Sequence, residues 1–171
     1  LTDVTYSGCP CPQPSWYIET EKLDLDFTAN EGVAKNGVLY FKNFPILASP
    51  YLTFPIKKER KSGLLLPTFG TTSNTGIDYT QPYYFNIAPN MDMTAQVRAM
   101  SKRGLQLGDE FRYMGEKYAG MMAGTYLNRD LQTGTDRWLY TANHMQSLGA
   151  GFFTGYNVSG VSDDNYFNDF A

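Results

Sequence analysis

The sequence predicts an all-β protein, and three observations lead to this fold class. Apolar and polar residues alternate with period 2 through much of the chain, as they do in strands whose two faces meet different surroundings. Gly, Asn and Asp recur between strand-length segments, where turns require them. Aromatic residues form 15% of the 171 residues, and this composition is typical of β-sheets.

Residues 1–56 are expected to form the strands of a soluble β domain. The alternation that includes Ile18 and Thr20 resumes one residue out of frame at Leu23, which predicts a β-bulge near Glu21. Strands that alternate with short turns are typical of a sandwich, a jelly roll or a stacked β-roll.

From residue 63 onward, segments of strand length recur between turn residues. A tilted transmembrane strand needs ~9–11 residues, and these segments have that length. A soluble sandwich would turn their charged faces to water, whereas a membrane barrel would turn them to its lumen, and the alternation alone leaves both open. The segments are 63–72, 76–87, 91–101, 104–114, 118–128, 136–146 and 150–161.

Two of these segments alternate most clearly, and the lengths of the connections favour the barrel. Short turns on one side and a longer connection at 128–136 on the other match the asymmetry of membrane barrels. The faces of 118–128 and 136–146 stay unassigned, and Asp109 is a charged misfit on an apolar face. The expected apolar faces contain Met93, Ala95, Val97 and Ala99 in one segment, and Leu105, Leu107, Phe111 and Tyr113 in the next.

Composition and spacing argue against nucleic-acid binding and against catalysis. A net charge of −3 lacks the basic footprint of a nucleic-acid-binding protein. No Ser-His-Asp, Cys-His or paired-carboxylate arrangement occurs, and His144 has no assigned role, so we expect no enzyme, no cofactor and no metal site. Clustered carboxylates at Asp163, Asp164 and Asp169 have the oxygens that a divalent cation prefers, but their spacing matches no calcium loop, which favours an acidic turn.

The stretch between the two parts is rich in proline and basic residues, which predicts a junction at 57–62. Lys57, Lys58, Arg60 and Lys61 are candidate contacts for anionic lipid headgroups, although a solvated linker is the commoner role of such a run. The chain also starts without Met or a signal peptide, and we expect it to be an internal fragment of a longer protein.

Cys9 and Cys11 are too close for an unstrained mutual disulfide, and without a nearby His they make a poor zinc site. Either one pairs with a cysteine outside this chain in an oxidising compartment, or both are free thiols.

Several runs resemble the outer-membrane lipopolysaccharide-assembly family, LptD (also called OstA or Imp), in order and spacing. The matching runs are Thr5-Tyr6-Ser7-Gly8-Cys9 with Ser15-Trp16, Arg60-Lys61-Ser62-Gly63-Leu64-Leu65-Leu66-Pro67, Pro82-Tyr83-Tyr84-Phe85-Asn86-Ile87-Ala88-Pro89-Asn90-Met91-Asp92, Met100-Ser101-Lys102-Arg103-Gly104, Glu110-Phe111-Arg112-Tyr113 and Ser162-Asp163-Asp164-Asn165-Tyr166-Phe167-Asn168-Asp169-Phe170.

The resemblance implies the end of a periplasmic β-jelly roll at 1–56, then the basic junction, then the first seven or so strands of a large antiparallel transmembrane β-barrel at 63–171. It implies lipopolysaccharide transport and insertion into the outer leaflet of the outer membrane, with the N-terminal part in the periplasm. The implied partners are lipopolysaccharide, outer-membrane lipids, an LptE-like lipoprotein plug and an LptA-like periplasmic bridge protein.

Pro67 and Pro82 match prolines that the family keeps in its first two barrel strands, which implies a lateral gate. Each proline removes one backbone donor from the ladder, so the sheet is weakest there. Without the resemblance, a strand end or bend is the commoner role. Cys9 matches a position of a long-range disulfide whose partner lies outside this chain, and Cys11 is the alternative.

Two other functions remain open from the sequence. A passive outer-membrane diffusion porin needs only a wet lumen, and the apolar strands of 16–56 argue against it. A soluble periplasmic β-sandwich scaffold would share the alternation but would not enter a membrane.

Overall fold

A computed structural model describes residues 1–7, 14–28, 30–54, 56 and 59–170. The chain forms two compact units, Leu1–Gly63 and Leu64–Ala171. Nearly all of its regular structure is strand, which confirms the predicted all-β class. In the described part of the chain, no helix is both long and apolar enough to span a membrane.

The first unit contains an antiparallel sheet of four strands in sequence order. Its core lies on one face, where Ile18, Leu23, Ala34 and Leu39 are buried. Because successive side chains of a strand point to opposite faces, the other face of this sheet keeps the charged residues. The strands are β1 (Thr2–Tyr6), β2 (Trp16–Asp26), β3 (Glu31–Phe41) and β4 (Phe44–Phe54).

The predicted change of frame in β2 occurs, but it does not shift the pairing register. Buried positions change parity between Thr20 and Leu23, while β2 pairs with β3 in the same register before and after Glu21. The neighbour makes the same change between Ala34 and Gly37, and Asn36 lies between them with φ of 52°. The alternation of buried positions therefore shifts by one residue in both strands at the same level. A β-bulge would instead place one extra residue in only one of the two strands.

Pro45 and Pro50 lie within β4, at one edge of the described four-stranded sheet. Proline is tolerated at such an edge because its missing N–H need not serve a second neighbour. The register between β3 and β4 shifts next to Pro45, which opposes Tyr40. Most of the proline-rich stretch before the junction is thus a strand of the first unit.

The second unit contains a larger antiparallel sheet with the order β12-β11-β10-β9-β8-β7-β5, in which β6 also pairs with β7. Its strands follow one another as a meander, and a short helix follows the last strand. They are β5 (Gly63–Leu64), β6 (Thr68–Thr72), β7 (Gly76–Ala88), β8 (Met91–Met100), β9 (Gly104–Met114), β10 (Tyr118–Leu127), β11 (Arg137–Gly149), β12 (Phe152–Val161) and α1 (Tyr166–Phe170).

The pairing register assigns every side chain of this sheet to one of two faces. Val97 opposes Leu107 and Leu107 opposes Tyr126, so the apolar faces of β8 and β9 continue into β10. We call this side the apolar face, and the side that contains Asp92 and Arg112 the polar face. The register also settles the two strands that the sequence left open, since it places Tyr118, Gly120, Met122, Gly124, Tyr126, Trp138, Tyr140, Ala142 and His144 on the apolar face.

Asp109 does lie on the apolar face, as the alternation predicted, opposite Ala95 in β8 and Gly124 in β10. Both neighbours are small, and the Asp109 side chain is exposed on that face.

The first strand of the second unit differs from the prediction of one continuous segment at 63–72. It is interrupted at residues 65–67, between β5 and β6, and both pieces pair with β7. The physical reason is Pro67, which offers no backbone N–H to a ladder.

Candidate functional site

The interruption at Pro67 and the proline of β7 meet at one place, which we call the seam: residues 64–67 against β7 around Pro82. The backbone N–H of Leu65 donates to the carbonyl oxygen of Pro82 at 3.0 Å. Beyond Pro67, Thr68 opposes Thr80 and Phe69 opposes Tyr79. If this register continued past Pro67, Leu65 would lie opposite Tyr83. The hydrogen bond places Leu65 opposite Pro82 instead, so the pairing shifts by one residue across Pro67.

The donor that Pro82 lacks would have served the seam only. In an antiparallel ladder, the N–H and C=O of one residue point toward the same neighbouring strand. The carbonyl of Pro82 receives Leu65, so its absent N–H falls on the same side. On its other side, β7 pairs with β8 without interruption from Asp78 to Asn86, with Pro82 opposite Gln96. The proline thus weakens one border of β7 and leaves the other intact.

Side-chain bonds replace part of this loss. The Nε2 of Gln81 donates to the carbonyl oxygens of Leu65 and of Pro82, both at 2.9 Å. The hydroxyl of Tyr79 donates to Oε1 of the same amide at 2.9 Å.

A groove of about 600 Å³ opens on the apolar face beside the seam. Its size lies within the range of about 300–1,000 Å³ that is usual for ligand pockets. Its wall is mostly apolar and aromatic, and includes Leu64, Gln81, Tyr83, Phe85, Val97 and Leu107.

The polar face contains a second feature, a charged network near the β7–β8 turn. Arg112 Nε donates to Asp92 Oδ1 at 2.8 Å, and the Tyr84 hydroxyl donates to Oδ2 of the same carboxylate at 3.1 Å. Glu110 lies 3.6 Å from the same guanidinium. These side chains make this side of the sheet hydrophilic opposite an apolar surface.

At the other end of the sheet, five charged residues form what we call the rim cluster: Arg103, Asp130, Arg137, Asp163 and Asp169. Asp130 is fully buried and accepts from Arg103 at 2.6 Å and from Arg137 at 3.1 Å. Arg103 also pairs with Asp169 at 2.7 Å. Two arginines with 3% exposed side chains therefore share Asp130, and the charge of this buried carboxylate is compensated away from solvent.

Arg137 connects the cluster to the segment that follows β12. It forms a bidentate pair with Asp163 at 2.6 and 2.9 Å and a third bond with Asp169 at 3.0 Å. The guanidinium groups of Arg103 and Arg137 also lie 5.0 and 5.1 Å from the ring of Phe170. Planar, bidentate recognition of this kind is what arginine provides and lysine does not.

Through these bonds α1 lies against the polar face. The Tyr166 hydroxyl contacts Gln106 at 3.2 Å and also bonds the hydroxyl of Thr125. Arg98 reaches the carbonyl of Phe170 at 3.4 Å and pairs with Asp78 at 2.8 Å. The segment after β12 therefore folds back over β8 to β11 instead of extending away from the sheet.

Asp163 illustrates the electrostatics of this end of the sheet. The hydroxyl of Ser162 is the largest influence, and together with Arg137 it holds the pKa of the Asp163 carboxyl below its ordinary value. Partial burial acts in the opposite direction, because it disfavours the charged form.

The structure brings only some of the predicted site residues together. Pro67 and Pro82 lie at the seam, and Asp163 and Asp169 bind arginines, whereas Asp164 has no partner among the described residues. Lys61 forms an ion pair with Glu31 at 2.8 Å. Arg60 also lies in the described part of the chain. Four predicted residues lie outside the described part of the chain: Cys9, Cys11, Lys57 and Lys58.

Sequence reasoning missed Gln81 and the buried members of the rim cluster. Arg103 is in a run that resembles the family, but its role could not be read from spacing because Asp130 lies 27 residues away. His144 likewise gains a partner that the sequence did not show, since its Nδ1 lies 2.8 Å from the Tyr113 hydroxyl.

Comparison with known proteins confirms the resemblance. A family model described as "LptD protein" matches residues 33–151, and one described as "LPS transport system D" matches residues 135–171. The chain is 64% identical over its whole length to the LPS-assembly protein LptD of Bordetella pertussis, and 65% identical over 99% of its length to that of Bordetella avium. It is 44% identical over its whole length to the corresponding protein of an Azoarcus species. The chain spans only 22%, 21% and 21% of these three relatives. The chain belongs to the LptD family.

Proposed function

We propose that this chain is part of a longer protein, like the relatives of which it spans about a fifth, and that the full-length protein carries lipopolysaccharide to the outer leaflet of the outer membrane. The relatives are named for LPS assembly, and family membership supports the same role here. In this proposal lipopolysaccharide enters a periplasmic jelly roll that includes residues 1–56 and leaves through a lateral gate in the first strands of a membrane barrel.

The two-faced sheet supports the barrel assignment of residues 63–171. One side has Met, Ala, Leu and aromatic side chains, and the other has charged networks and α1. Such a sheet suits a wall between hydrocarbon and an aqueous lumen, where strands alternate apolar and polar residues. An amphiphile needs both environments, because its sugars require water while its acyl chains require lipid.

The main support for the gate is the missing backbone donor of Pro82, which weakens the pairing of β7 with the first strand but not its pairing with β8. A barrel opens sideways where two neighbouring strands separate, and the cost is lowest where the fewest backbone bonds must break. Each bond missing from the ladder removes roughly 0.5–1.5 kcal/mol of net stabilisation. The seam combines this missing donor with the register shift at Pro67, and the apolar groove lies directly beside it.

The proposal also assigns roles to the rest of the chain and to its partners. Lys57, Lys58 and Arg60, in the junction 57–62, contact anionic headgroups, while the ion pair with Glu31 reduces the contribution of Lys61. An LptA-like bridge protein delivers lipopolysaccharide to the jelly roll, and an LptE-like lipoprotein occupies the lumen against the polar face. Cys9, with Cys11 as the alternative, forms a disulfide with a distant cysteine of the full-length protein.

Site-specific photocrosslinking in the full-length protein tests this function. A photoreactive residue replaces Leu66, which is 62% exposed at the seam, or Tyr83 in the groove. We expect lipopolysaccharide adducts at both positions during active transport, and their loss when transport is stopped.

Val158 provides the matched control, because it lies on the same apolar face in β12, far along the sheet from the seam. Contact with resident lipid there should not depend on ongoing transport. Absence of transport-dependent adducts at Leu66 and Tyr83 would refute the gate.

A further inference from the structure

The amide of Gln81 makes three hydrogen bonds, and all of them lie at the seam. Its Nε2 donates to the carbonyls of Leu65 and Pro82, and its Oε1 accepts from the Tyr79 hydroxyl. Two backbone carbonyls can only accept, so they fix which end of the amide is nitrogen. The orientation of this side chain is therefore determined by its partners on both strands.

The bond to Leu65 occupies a position that a regular ladder reserves for the backbone. Where two residues of antiparallel strands form a hydrogen-bonded pair, each donates its N–H to the carbonyl of the other. Leu65 donates to Pro82 at 3.0 Å, but Pro82 has no N–H to return. The carbonyl of Leu65 instead accepts from Gln81, one residue earlier in β7, at 2.9 Å.

We propose that Gln81 is a latch: a positioning residue that substitutes for the missing backbone donor of Pro82 and sets how readily the first strand separates from β7. This inference rests on the proposed lateral gate for its functional meaning, although the latch itself is a property of the sheet.

A side-chain bond differs from a ladder bond in one respect that suits a gate. A backbone N–H cannot leave without displacing its strand, whereas a glutamine amide is released by rotation about its own side-chain bonds. The proline removes a fixed bond and Gln81 restores a releasable one. Tyr79 favours the orientation in which Gln81 bonds Leu65, because its hydroxyl donates to Oε1 and so keeps Nε2 directed at the two carbonyls.

Backbone amide exchange in the full-length purified protein, without lipopolysaccharide, tests the latch directly. Peptides that span residues 63–70 report opening at Leu65, whose N–H is bonded to Pro82. Gln81→Leu removes the amide, and one typical hydrogen bond corresponds to an increase of about 2- to 13-fold in the open population. Gln81→Glu, which keeps the shape but loses both N–H donors, is expected to act in the same direction.

The sharpest comparison repeats Gln81→Leu in a Pro82→Ala background. Alanine returns the backbone N–H, so the carbonyl of Leu65 regains its ladder partner and the latch becomes redundant. We expect the effect of Gln81→Leu to fall below twofold there. Gln146→Leu is the matched control, because Gln146 lies exposed on the same face without a described side-chain bond, away from the seam.

A change of less than twofold for Gln81→Leu in the presence of Pro82 would overturn the latch, as would an equal increase in both backgrounds. The proposed function fails separately. If the exchange cycle behaves as expected but photocrosslinks at Leu66 do not depend on transport, then the latch stands and the lipopolysaccharide gate does not.

Discussion

Replacing Arg137 with methionine is expected to release the segment that follows β12. This side chain is 3% exposed and joins Asp130, Asp163 and Asp169, which come from a loop, the turn after β12 and α1. Methionine has comparable length and no charge, so the substitution removes the bonds while filling much of the space.

The magnitude follows from the burial of each carboxylate. Removing one partner of a buried ion pair costs about 3–5 kcal/mol, because the other charge stays behind uncompensated. Asp130 keeps its 2.6 Å contact with Arg103, while Asp163 and Asp169 are 36% and 22% exposed and can be hydrated. We therefore expect the lower end, about 3 kcal/mol, which is roughly a 100-fold increase in local opening.

Amide exchange of peptides from residues 162–170 in the full-length protein measures this opening, since local unfolding exposes the amides that α1 protects. The amides of Tyr166 and Asp169, bonded at 3.2 and 3.1 Å, are the reporters. Arg112→Met is the control, because that arginine pairs with Asp92 and Glu110 rather than with residues 162–170, so exchange of those peptides should stay within about twofold of that in the unchanged protein. An increase below threefold for Arg137→Met, or an equal increase for both variants, would refute the reasoning.

Two further predictions concern pH and packing. Because the pKa of Asp163 is lowered in the folded protein, its contribution to stability is present above the ordinary carboxyl pKa of about 3.9 and is lost as the pH falls through the lower folded pKa. Amide exchange of residues 162–170 should rise in that acidic range. Asp163→Asn, or loss of the Ser162 hydroxyl, should weaken this pH dependence. A Cβ at Gly120 would overlap the Tyr113 hydroxyl and would lie 2.8 Å from the backbone oxygen of Asn143, so Gly120→Ala should cost about 1–3 kcal/mol in denaturant unfolding. At Gly124 the nearest atom is 3.5 Å away, and alanine should change stability by no more than about 0.5 kcal/mol. Equal costs for the two glycines, or a pH profile that Asp163→Asn leaves unchanged, would contradict these accounts.

Much of the strand pattern could be predicted from the sequence because period-2 alternation is a local signal. The face of Met93, Ala95 and Val97 follows from their spacing alone, and even the misfit at Asp109 is placed correctly. In β10 and β11, Gly, Ala and Thr blur the contrast between faces, so only pairing with β9 assigns them.

The interactions at the seam and the rim could not be predicted, because they depend on register and on distant partners. The role of Gln81 exists only because Leu65 opposes Pro82, and a shift of one residue would remove it. The pairs of Arg137 with Asp163 and Asp169 join residues 26 and 32 positions apart, and no spacing rule links them. The interruption of the first strand was foreseeable from Pro67, yet the sequence does not show where pairing resumes.

The most direct test of the central claim measures the rate at which lipopolysaccharide reaches the cell surface when both seam prolines of the full-length protein are replaced by alanine. Two restored ladder donors strengthen the seam, and export is expected to slow about fivefold or more. Pro89→Ala, at the exposed β7–β8 turn, is the control and should leave the rate unchanged. Export that is unchanged or faster in the Pro67→Ala, Pro82→Ala protein would contradict a lateral gate at this seam.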